Sequence, residues 1–167
     1  MKLQCVIRKY QSEDREHCRK LWKELTEWHR EIYDDPTIGG EHPEDYFDEH
    51  LAKVGSDRFW VAVHDSEIVG LMGIIAEKEE AEIEPLIVSR SYRGKRLGEM
   101  LIKEAISEAR RNGSRYLNIN PVARNVQAIR FFHKQGFRNL GHIQLFLDLS
   151  SCTWKPGLKL HDREFSF

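Results

Sequence analysis

Cysteine is scarce in this sequence, with three residues among 167. Cys5, Cys18 and Cys152 are too far apart to form a zinc-ligand pair or the framework of a disulfide-stabilised fold. The eight histidines show no metal-ligand spacing either, so we expect no metal site. Lys2 and Arg8 interrupt the first apolar residues, which is untypical of a secretory signal, and we therefore expect a cytoplasmic protein.

Long apolar runs and a strong net charge are absent as well. The longest uncharged apolar run, residues 68–76, is far shorter than the roughly 18 residues that a membrane-spanning helix needs. The formal net charge of −1 does not favour nucleic acid, so we expect neither a membrane nor a nucleic acid as partner. With 40% hydrophobic and 32% charged residues the composition is globular, and the length predicts a single domain over residues 1–167.

The charges are unevenly distributed along the chain. Residues 27–49 contain nine acids and one base, whereas residues 86–140 contain twelve bases and three acids. Two interpretations stay open. Either the acidic segment lines a site for a cationic amine and the basic half holds a polyanion, or the two segments are oppositely charged, solvent-exposed faces.

Hydrophobic periodicity and turn residues predict an alternation of strands and helices. The predicted strands cover residues 6–8, 58–64, 68–76, 82–88, 116–120 and 143–149. The predicted helices run from the N-cap Ser12 to about residue 32, over residues 43–54, from Leu97 to the stop at residues 112–113, and onward from the cap Asn125. The tail beyond Trp154 is apolar enough to pack and to add a further strand.

This order of elements predicts an α/β fold in which helices cover both faces of a mixed sheet. The unit from residue 82 to residue 120 needs a right-handed crossover between two parallel strands. Pro85 lies inside one of these strands. Because proline donates no backbone hydrogen bond, we expect a bulge or an unpaired position there.

The most informative motif is Arg-Gly-Lys-Arg-Leu-Gly at residues 93–98, between a predicted strand and a predicted helix. A helix N-terminus offers unpaired N–H groups to phosphate, the glycines allow a close approach, and the basic side chains add positive charge. The spacing matches neither the Gly-x-Gly-x-x-Gly loop of dinucleotide-binding folds nor the P-loop. Taken alone, the motif is equally consistent with an ordinary turn.

Residues 93–98 resemble the pyrophosphate loop of the GNAT superfamily of N-acetyltransferases, in which Arg or Gln is followed by two residues, Gly, one residue, and Gly or Ala. Residues 83–88, Ile-Glu-Pro-Leu-Ile-Val, resemble the fourth strand of that family. Residues 125–137 resemble its Asn-x-x-Ala-x-x-x-Tyr-x-x-x-Gly-Phe segment. The resemblance covers the chain from about residue 58 to residue 149.

The resemblance implies a GNAT-like fold, with a mostly antiparallel sheet, one splayed parallel strand pair and helices on both faces. It also implies that the acetyl group of acetyl-CoA moves to a primary amine by direct attack in a ternary complex. Three segments are implied to contact acetyl-CoA. Their residues are Leu86, Ile87, Val88, Arg93, Gly94, Lys95, Arg96, Leu97, Gly98, Glu99, Asn125 and Phe132.

Two positions depart from the family pattern. Arg96 replaces the first loop glycine, and we expect a helical backbone there, since a positive φ would cost roughly 1–2 kcal/mol. Phe132 stands where many members have a tyrosine that protonates the departing thiolate. Because a thiol pKa near ~8.5 makes the thiolate a fair leaving group, we expect slower rather than abolished transfer.

A primary amine must lose a proton before it attacks a thioester, so the site needs a base. Residues 81–83 resemble the stretch that carries the catalytic glutamate in histone-type family members, which favours Glu82. Glu84, on the same strand face, is the second candidate. Alternatively, Glu82 simply begins an exposed strand end. The resemblance also implies that a backbone N–H near Val88 polarises the thioester carbonyl.

The sequence is compatible with two other functions. Phe132 is compatible with a catalytically impaired, acetyl-CoA-binding regulatory module. The basic residues of 86–140 would suit a nucleic-acid-associated domain, but the near-neutral net charge argues against it. The acceptor amine is not identified, although the acidic segment favours a cationic one. The apolar tail from Leu145 to Phe167 is a candidate surface for a homodimer.

Overall fold

The computed structural model describes residues 5–150 and 152–167, and the chain divides into two compact units, Met1–Asn120 and Pro121–Phe167. The elements of the first unit are β1 (Cys5–Lys9), α1 (Arg15–Tyr33), α2 (Asp45–Val54), β2 (Phe59–His64), β3 (Glu67–Glu77), β4 (Glu80–Val88), α3 (Leu97–Arg111) and β5 (Tyr116–Ile119). Those of the second unit are α4 (Val126–Lys134), β6 (Pro156–Leu160) and β7 (Arg163–Ser166).

The first unit is built around a five-stranded sheet in the order β1-β2-β3-β4-β5. The first three pairings are antiparallel. The strands β4 and β5 are parallel, and α3 forms the crossover between them. The predicted mixed sheet of an α/β fold is therefore confirmed, together with its parallel strand pair.

Side chains alternate between the two faces of this sheet, because successive residues of a strand point in opposite directions. Phe59 and Leu71 belong to the same buried cluster as Leu21 of α1. Gly70 faces the other way, since a Cβ placed on it would lie 3.3 Å from Leu101 Cδ1 of α3. Helices therefore cover both faces, with α1 on one side and α3 on the other.

A β-bulge interrupts the pairing of β3 with β4. The register shifts between Met72 and Ile74, so that Glu84 and Pro85 together face Gly73. A Cβ on Gly73 would overlap the carbonyl oxygen of Glu84, which explains why glycine occupies this place. The interruption expected at Pro85 is confirmed.

Beyond the bulge, β4 has one neighbouring strand instead of two. The strand β5 pairs with residues 80–83, and among the described residues no strand pairs with residues 86–88 on that side. The backbone of residues 86–88 remains paired with β3. The parallel pairing therefore ends at Ile83, whose partner Ile119 is the last residue of β5.

Helix α1 begins later than the sequence pattern predicts. A short 3-10 turn over Ser12–Asp14 precedes it, and the Asp14 carboxylate accepts the backbone N–H of Gln11 at 2.9 Å. The hydroxyl of Ser12 instead donates to Glu13 Oε2 at 3.1 Å. The prediction of Ser12 as N-cap is therefore wrong, because the carboxylate of Asp14 organises the turn.

The start of α4 agrees with the sequence pattern. The side-chain oxygen of Asn125 accepts the backbone N–H of Ala128 at 3.2 Å, which satisfies one of the unpaired donors of the first turn. After the helix, Gly136 has a φ of +103°, a conformation that glycine adopts without steric strain. The predicted cap and helix end are both confirmed.

The strand predicted over residues 143–149 is wrong. These residues form no regular structure, and Leu149 is 89% exposed. A strand needs a neighbour for its backbone groups, and in the described part of the chain none pairs with this segment. Asp148 instead organises a local turn, in which it accepts the backbone N–H groups of Ser150 and Cys152 at 2.7 and 2.8 Å. The hairpin of β6 and β7 confirms the strand expected in the tail.

Candidate functional site

The open edge of β4 lies at residues 86–88. The side chain of Ile87 is buried, and those of Leu86 and Val88 are half-buried. No described strand pairs with this edge, so its backbone groups can pair with an extended ligand that lies alongside, apart from the carbonyl oxygen of Val88, which accepts a hydrogen bond from Arg93. The edge leads directly into the loop before α3.

This loop over residues 89–96 has the geometry of an anion site. Gly94 has a φ of +75°, and no atom lies within 4 Å of a Cβ placed on it, so the space above the loop is open. The N–H groups of Leu97, Gly98 and Glu99 begin α3 and have no acceptor within the helix. Such donors at the positive end of a helix dipole favour phosphate.

Arg96 precedes α3 in a left-handed conformation, with φ 66° and ψ 8°. The prediction of a helical backbone at this position is wrong, because the chain turns from the loop into the helix one residue before the helix starts. A non-glycine residue in this conformation costs roughly 1–2 kcal/mol. The side chain of Arg96 is exposed, so its positive charge is nevertheless available at the helix N-terminus.

Helix α1 supports the loop through one aromatic and two acidic residues. The guanidinium groups of Arg90 and Arg93 lie 5.1 and 5.5 Å from the ring centre of Trp28. Glu24 accepts the backbone N–H of Arg90, and Glu31 accepts its Nη2 at 2.8 Å. Cation–π contacts contribute about 0.5–1 kcal/mol each at exposed sites. The loop is therefore held by side chains some sixty residues away in sequence.

The basic side chains of the loop have different surroundings. Arg93 is turned back onto β4, where its Nε donates to the carbonyl oxygen of Val88 at 3.1 Å. Burial lowers the pKa of the Arg93 guanidinium. Lys95 is exposed, with Nζ 4.5 Å from the ring centre of Tyr92. Arg93 thus attaches the loop to the strand, whereas Lys95 and Arg96 present positive charge to solvent.

The acidic segment, residues 27–49, is partly neutralised by bases that precede it in the sequence. Arg15 Nε donates to Asp48 at 2.8 Å, and Arg19 binds both Asp45, at 2.5 Å, and Asp48. The hydrogen bond from Arg15 lowers the pKa of Asp48. For these two acids the structure supports the interpretation of a charged helix surface, since their ion pairs connect α1 with α2.

The two glutamates that are candidates for a base differ in their surroundings. Glu82 is half-buried in the segment of β4 that pairs with β5, and its Oε1 accepts a hydrogen bond from Asn120 Nδ2 at 2.6 Å. Glu84 lies at the bulge, and 50% of its side chain is exposed. Glu84 is therefore the more accessible of the two at the point where the strands separate.

His50 is a functional candidate that the sequence pattern does not reveal. Its side chain is 9% exposed, and its ring centre lies 5.3 Å from that of Trp22 and 5.8 Å from that of Phe59. Nε2 is 2.9 Å from the carbonyl oxygen of Glu84, and Nδ1 is 3.9 Å from the carboxylate Oε1 of the same residue. The spacing of three residues from the buried Phe47 is the signal that could have placed His50 inside the protein.

The second unit contains Asn125 and Phe132, the remaining predicted contacts to acetyl-CoA. Asn125 uses its side-chain oxygen as the cap of α4, so its NH2 group is the donor left for another partner. Phe132 is 6% exposed, and its ring centre lies 5.3 Å from that of Phe131 and 5.9 Å from that of Phe137. Phe132 offers an apolar surface and no proton.

Within residues 5–150 and 152–167, no three His, Cys, Asp or Glu side chains are arranged to hold a metal ion. No helix of that part of the chain is long and apolar enough to cross a membrane. Cys18 is fully buried, and burial raises the pKa of its thiol to about 12. A thiol of this kind stays protonated at neutral pH and is unsuited to nucleophilic attack.

Comparison with known proteins identifies the family. Residues 22–137 match the acetyltransferase (GNAT) family, and since they make up well over half of the chain, the chain belongs to that family. An uncharacterized N-acetyltransferase of Methanocaldococcus jannaschii is 31% identical over 94 residues, which are 52% of this chain and 42% of that protein. The match thus spans less than half the length of this relative. Membership supports an acetyl-CoA-dependent N-acetyltransferase in general.

Solved structures share the fold. The PaiA N-acetyltransferase from Thermoplasma acidophilum, in complex with coenzyme A, superposes with a TM-score of 0.67 at 22% identity, over 80% of this chain and 89% of that one. Glucosamine-6-phosphate N-acetyltransferase from Arabidopsis thaliana gives a TM-score of 0.64 at 20% identity, over 88% and 99% of the two chains. The predicted GNAT-like fold is therefore confirmed.

Proposed function

We propose that this protein transfers the acetyl group of acetyl-CoA to a primary amine of a small molecule or peptide, by direct attack in a ternary complex. The observation that carries the proposal is the open edge of β4, which leads into the glycine-containing loop and the N-terminus of α3. An extended arm that ends in a pyrophosphate fits this surface, because strand-like backbone groups lie next to phosphate-binding N–H groups.

The proposed contacts of the first unit to acetyl-CoA follow the chain along this surface. Backbone groups of β4 hold the pantetheine arm, the loop and the first turn of α3 hold the pyrophosphate, and the family resemblance adds two residues at α4. They are Leu86, Ile87, Val88, Arg93, Gly94, Lys95, Arg96, Leu97, Gly98, Glu99, Asn125 and Phe132.

Acetyl-CoA supplies an acyl group with a good leaving group, because a thiol pKa near ~8.5 makes the thiolate tolerable at neutral pH. The protein has to orient the amine, remove its proton and stabilise the carbonyl oxygen. A backbone N–H near Val88 is the proposed donor to that oxygen. The proposed base is a carboxylate of β4, Glu82 by family resemblance and Glu84 as the alternative.

Release of free thiol from acetyl-CoA with a panel of amines and peptides, between about pH 7 and pH 9, tests this proposal. We expect release that depends on the acceptor. The charge reversal Lys95→Glu should raise the KM for acetyl-CoA, whereas Lys103→Glu, exposed further along α3, should leave it unchanged. Failure of the native protein to bind acetyl-CoA would remove the proposal.

The second candidate function is an acetyl-CoA-binding regulatory module with impaired catalysis, which Phe132 favours because it lacks the proton of a tyrosine. Here acetyl-CoA binds, but no amine of the panel releases thiol. Phe132→Tyr supplies the missing acid and should then make thiol release measurable. If the native protein already turns over slowly, the variant should raise kcat about tenfold, below the usual ~10²–10⁴-fold range of general acid catalysis because the thiolate leaves readily. Phe131→Tyr places the same hydroxyl on the next residue of α4 and should not raise kcat. An equal response of both variants would contradict a specific role for position 132.

We also propose a cationic acceptor and a homodimer formed through residues 145–167. The acidic composition of residues 27–49 supports the cationic acceptor. The exposed apolar side chains of Leu145 and Leu147, at 66% and 82%, support the second. Competition between cationic and neutral amines tests the acceptor, and the molar mass from light scattering tests the dimer. A cytoplasmic location and the absence of nucleic-acid and membrane partners stay predictions from the sequence.

A further inference from the structure

We propose that Glu84 and His50 act together as the proton acceptor for the attacking amine. Glu84 contacts the substrate, and His50 is a positioning residue that shares the proton. This assignment rests on the proposed function and selects Glu84 over Glu82. His50 belongs to none of the motifs described above and lies on α2, 34 residues before Glu84.

The hydrogen bond to the backbone determines which nitrogen of His50 carries hydrogen. A carbonyl oxygen accepts hydrogen bonds and donates none, so Nε2 must carry the hydrogen in its 2.9 Å contact with the oxygen of Glu84. In the neutral ring, Nδ1 then has the lone pair, and it lies 3.9 Å from Glu84 Oε1. The nitrogen that can take up a proton therefore faces the carboxylate.

The His50 ring is also held in this orientation by packing. Trp22 of α1 and Phe59 of β2 lie against it, and Glu84 is the charged group that faces it from β4. A buried polar ring without partners would be unfavourable by about 1–3 kcal/mol. The hydrogen bond from Nε2 satisfies one ring nitrogen, and Nδ1, at 3.9 Å, lies near one carboxylate without a hydrogen bond to it.

The two glutamates differ in what a substrate can reach. Glu84 is half-exposed at the bulge, next to the start of the open edge at residues 86–88. Glu82 lies where β4 is paired on both sides, and Asn120 already donates to its carboxylate. An amine that approaches a thioester placed along the open edge meets Glu84 at the beginning of that edge.

The ammonium group of the acceptor gives one proton to Glu84 and His50, and the free amine attacks the thioester. A C–N bond forms, the C–S bond breaks, and its electron pair leaves with sulfur. The second nitrogen proton goes to the thiolate, and the pair returns its own proton to solvent. The net products are amide, coenzyme A thiol and one proton.

The experiment compares four variants of the full chain. Glu84→Gln removes the carboxylate, and His50→Gln keeps an amide donor for the Glu84 carbonyl but cannot take up a proton. Glu82→Gln tests the competing candidate for the base. His42→Gln is the matched histidine control, because His42 also lies near a glutamate, Glu44, but is 72% exposed.

We expect kcat to fall about 100-fold in Glu84→Gln and about tenfold in His50→Gln, with KM for acetyl-CoA unchanged. In both variants the decline of kcat/KM toward acidic pH should change. With an acceptor whose amine is already neutral at the assay pH, both losses should shrink to less than about threefold, because no base is then needed. If His50 had only a structural role, His50→Gln would instead reduce stability and lower kcat equally for all acceptors.

Several outcomes overturn the assignment. One is a native protein that releases thiol while Glu84→Gln and His50→Gln retain native kcat and pH profiles. Another is a large loss of kcat in Glu82→Gln alone. A third is a nitrogen-15 spectrum of native His50 that shows hydrogen on Nδ1 rather than Nε2 in the neutral ring. If the native protein turns over no acceptor at all, the proposed function fails and this assignment fails with it.

Discussion

The two halves of β4 differ in sequence, Glu-Ala-Glu-Ile at residues 80–83 and Leu-Ile-Val at residues 86–88, and they also differ in their neighbours. Residues 80–83 pair with β3 on one side and with β5 on the other, whereas residues 86–88 pair with β3 and leave the opposite edge open in the described sheet. The change occurs at the bulge, where Glu84 and Pro85 face Gly73. A bulge and the end of the neighbouring strand β5 thus leave part of a central strand with one unpaired edge, which is the surface proposed to bind acetyl-CoA.

The same comparison separates the two carboxylates. Glu82 belongs to residues 80–83, the closed half of β4, and accepts a hydrogen bond from Asn120. Glu84 lies at the bulge between this half and residues 86–88, the open half, and its carbonyl oxygen accepts a hydrogen bond from His50. Their positions in sequence differ by two residues, so they share a strand face but not an environment. Accessibility and partners, rather than spacing, distinguish them.

The largest expected effect comes from adding a side chain at Gly73, opposite the bulge that separates the two halves of β4. Gly73→Ala places a Cβ against the carbonyl oxygen of Glu84 and 2.8 Å from the ring of Phe59, and should destabilise the protein by about 2–3 kcal/mol. Urea unfolding measures this loss, and acetyl-CoA affinity should fall with it. Gly141→Ala is the control, because no atom lies within 4 Å of its Cβ position. Equal stability of the two variants would show that the bulge tolerates a side chain.

A smaller effect is expected at the loop over residues 89–96, which follows the open half of β4. Trp28→Leu removes the aromatic ring beneath Arg90 and Arg93 and should weaken acetyl-CoA binding roughly tenfold, since two cation–π contacts are lost. Calorimetric titration measures the affinity. Tyr116→Leu removes a similar contact between Tyr116 of β5 and Arg115, the residue just before β5, and should leave the affinity unchanged. A similar loss in both variants would mean that the contact at the loop has no special role.

Replacing Arg96, the left-handed residue before α3, by glycine should increase stability and decrease the affinity for acetyl-CoA. Arg96→Gly relieves its backbone strain and should stabilise the protein by about 1 kcal/mol, while the lost cation weakens acetyl-CoA binding about threefold. Thermal unfolding and titration measure the two changes. Lys78→Gly is matched, because Lys78 also has a positive φ of 52° but lies in the turn before the closed half. It should give the same gain without the loss of affinity.

The smallest effect is expected within the closed half. Asn120→Ala removes the donor to Glu82 and should cost about 1 kcal/mol of stability. If Glu84 is the base, kcat should change less than about threefold. Asn118→Ala removes the equivalent donor to Glu80, at 3.1 Å, and serves as control. A large change of kcat confined to Asn120→Ala would return the role of base to Glu82.

Features with local causes were predictable from sequence. Pro85 has no N–H to donate, so the interruption of β4 follows from one residue. Asn125 and Gly136 delimit α4 through contacts within a few residues of themselves. The irregular backbone of residues 143–149 was not predictable in this way, because an alternating pattern forms a strand only when another strand is there to pair with it.

Sequence patterns were less informative about partners that are distant along the chain. Within residues 27–49 the acids far outnumber the bases. Two of these acids, Asp45 and Asp48, nevertheless form ion pairs with Arg19 and Arg15 of α1. The loop basic residues are predictable as a charged motif, but their anchoring on Trp28 is not. Such contacts depend on how α1 packs against the sheet.

The sequence by itself determined the order of the helices and strands as far as α4, the break in β4, the cap of α4 and the family motif at residues 93–98, because each depends on short-range sequence patterns and backbone chemistry. The tertiary structure decided which edge of β4 stays open, that Arg96 is left-handed, and that His50 reaches Glu84. These features arise when α2, β3 and β5 pack around β4, and no local pattern encodes a distance between residues so far apart in the chain.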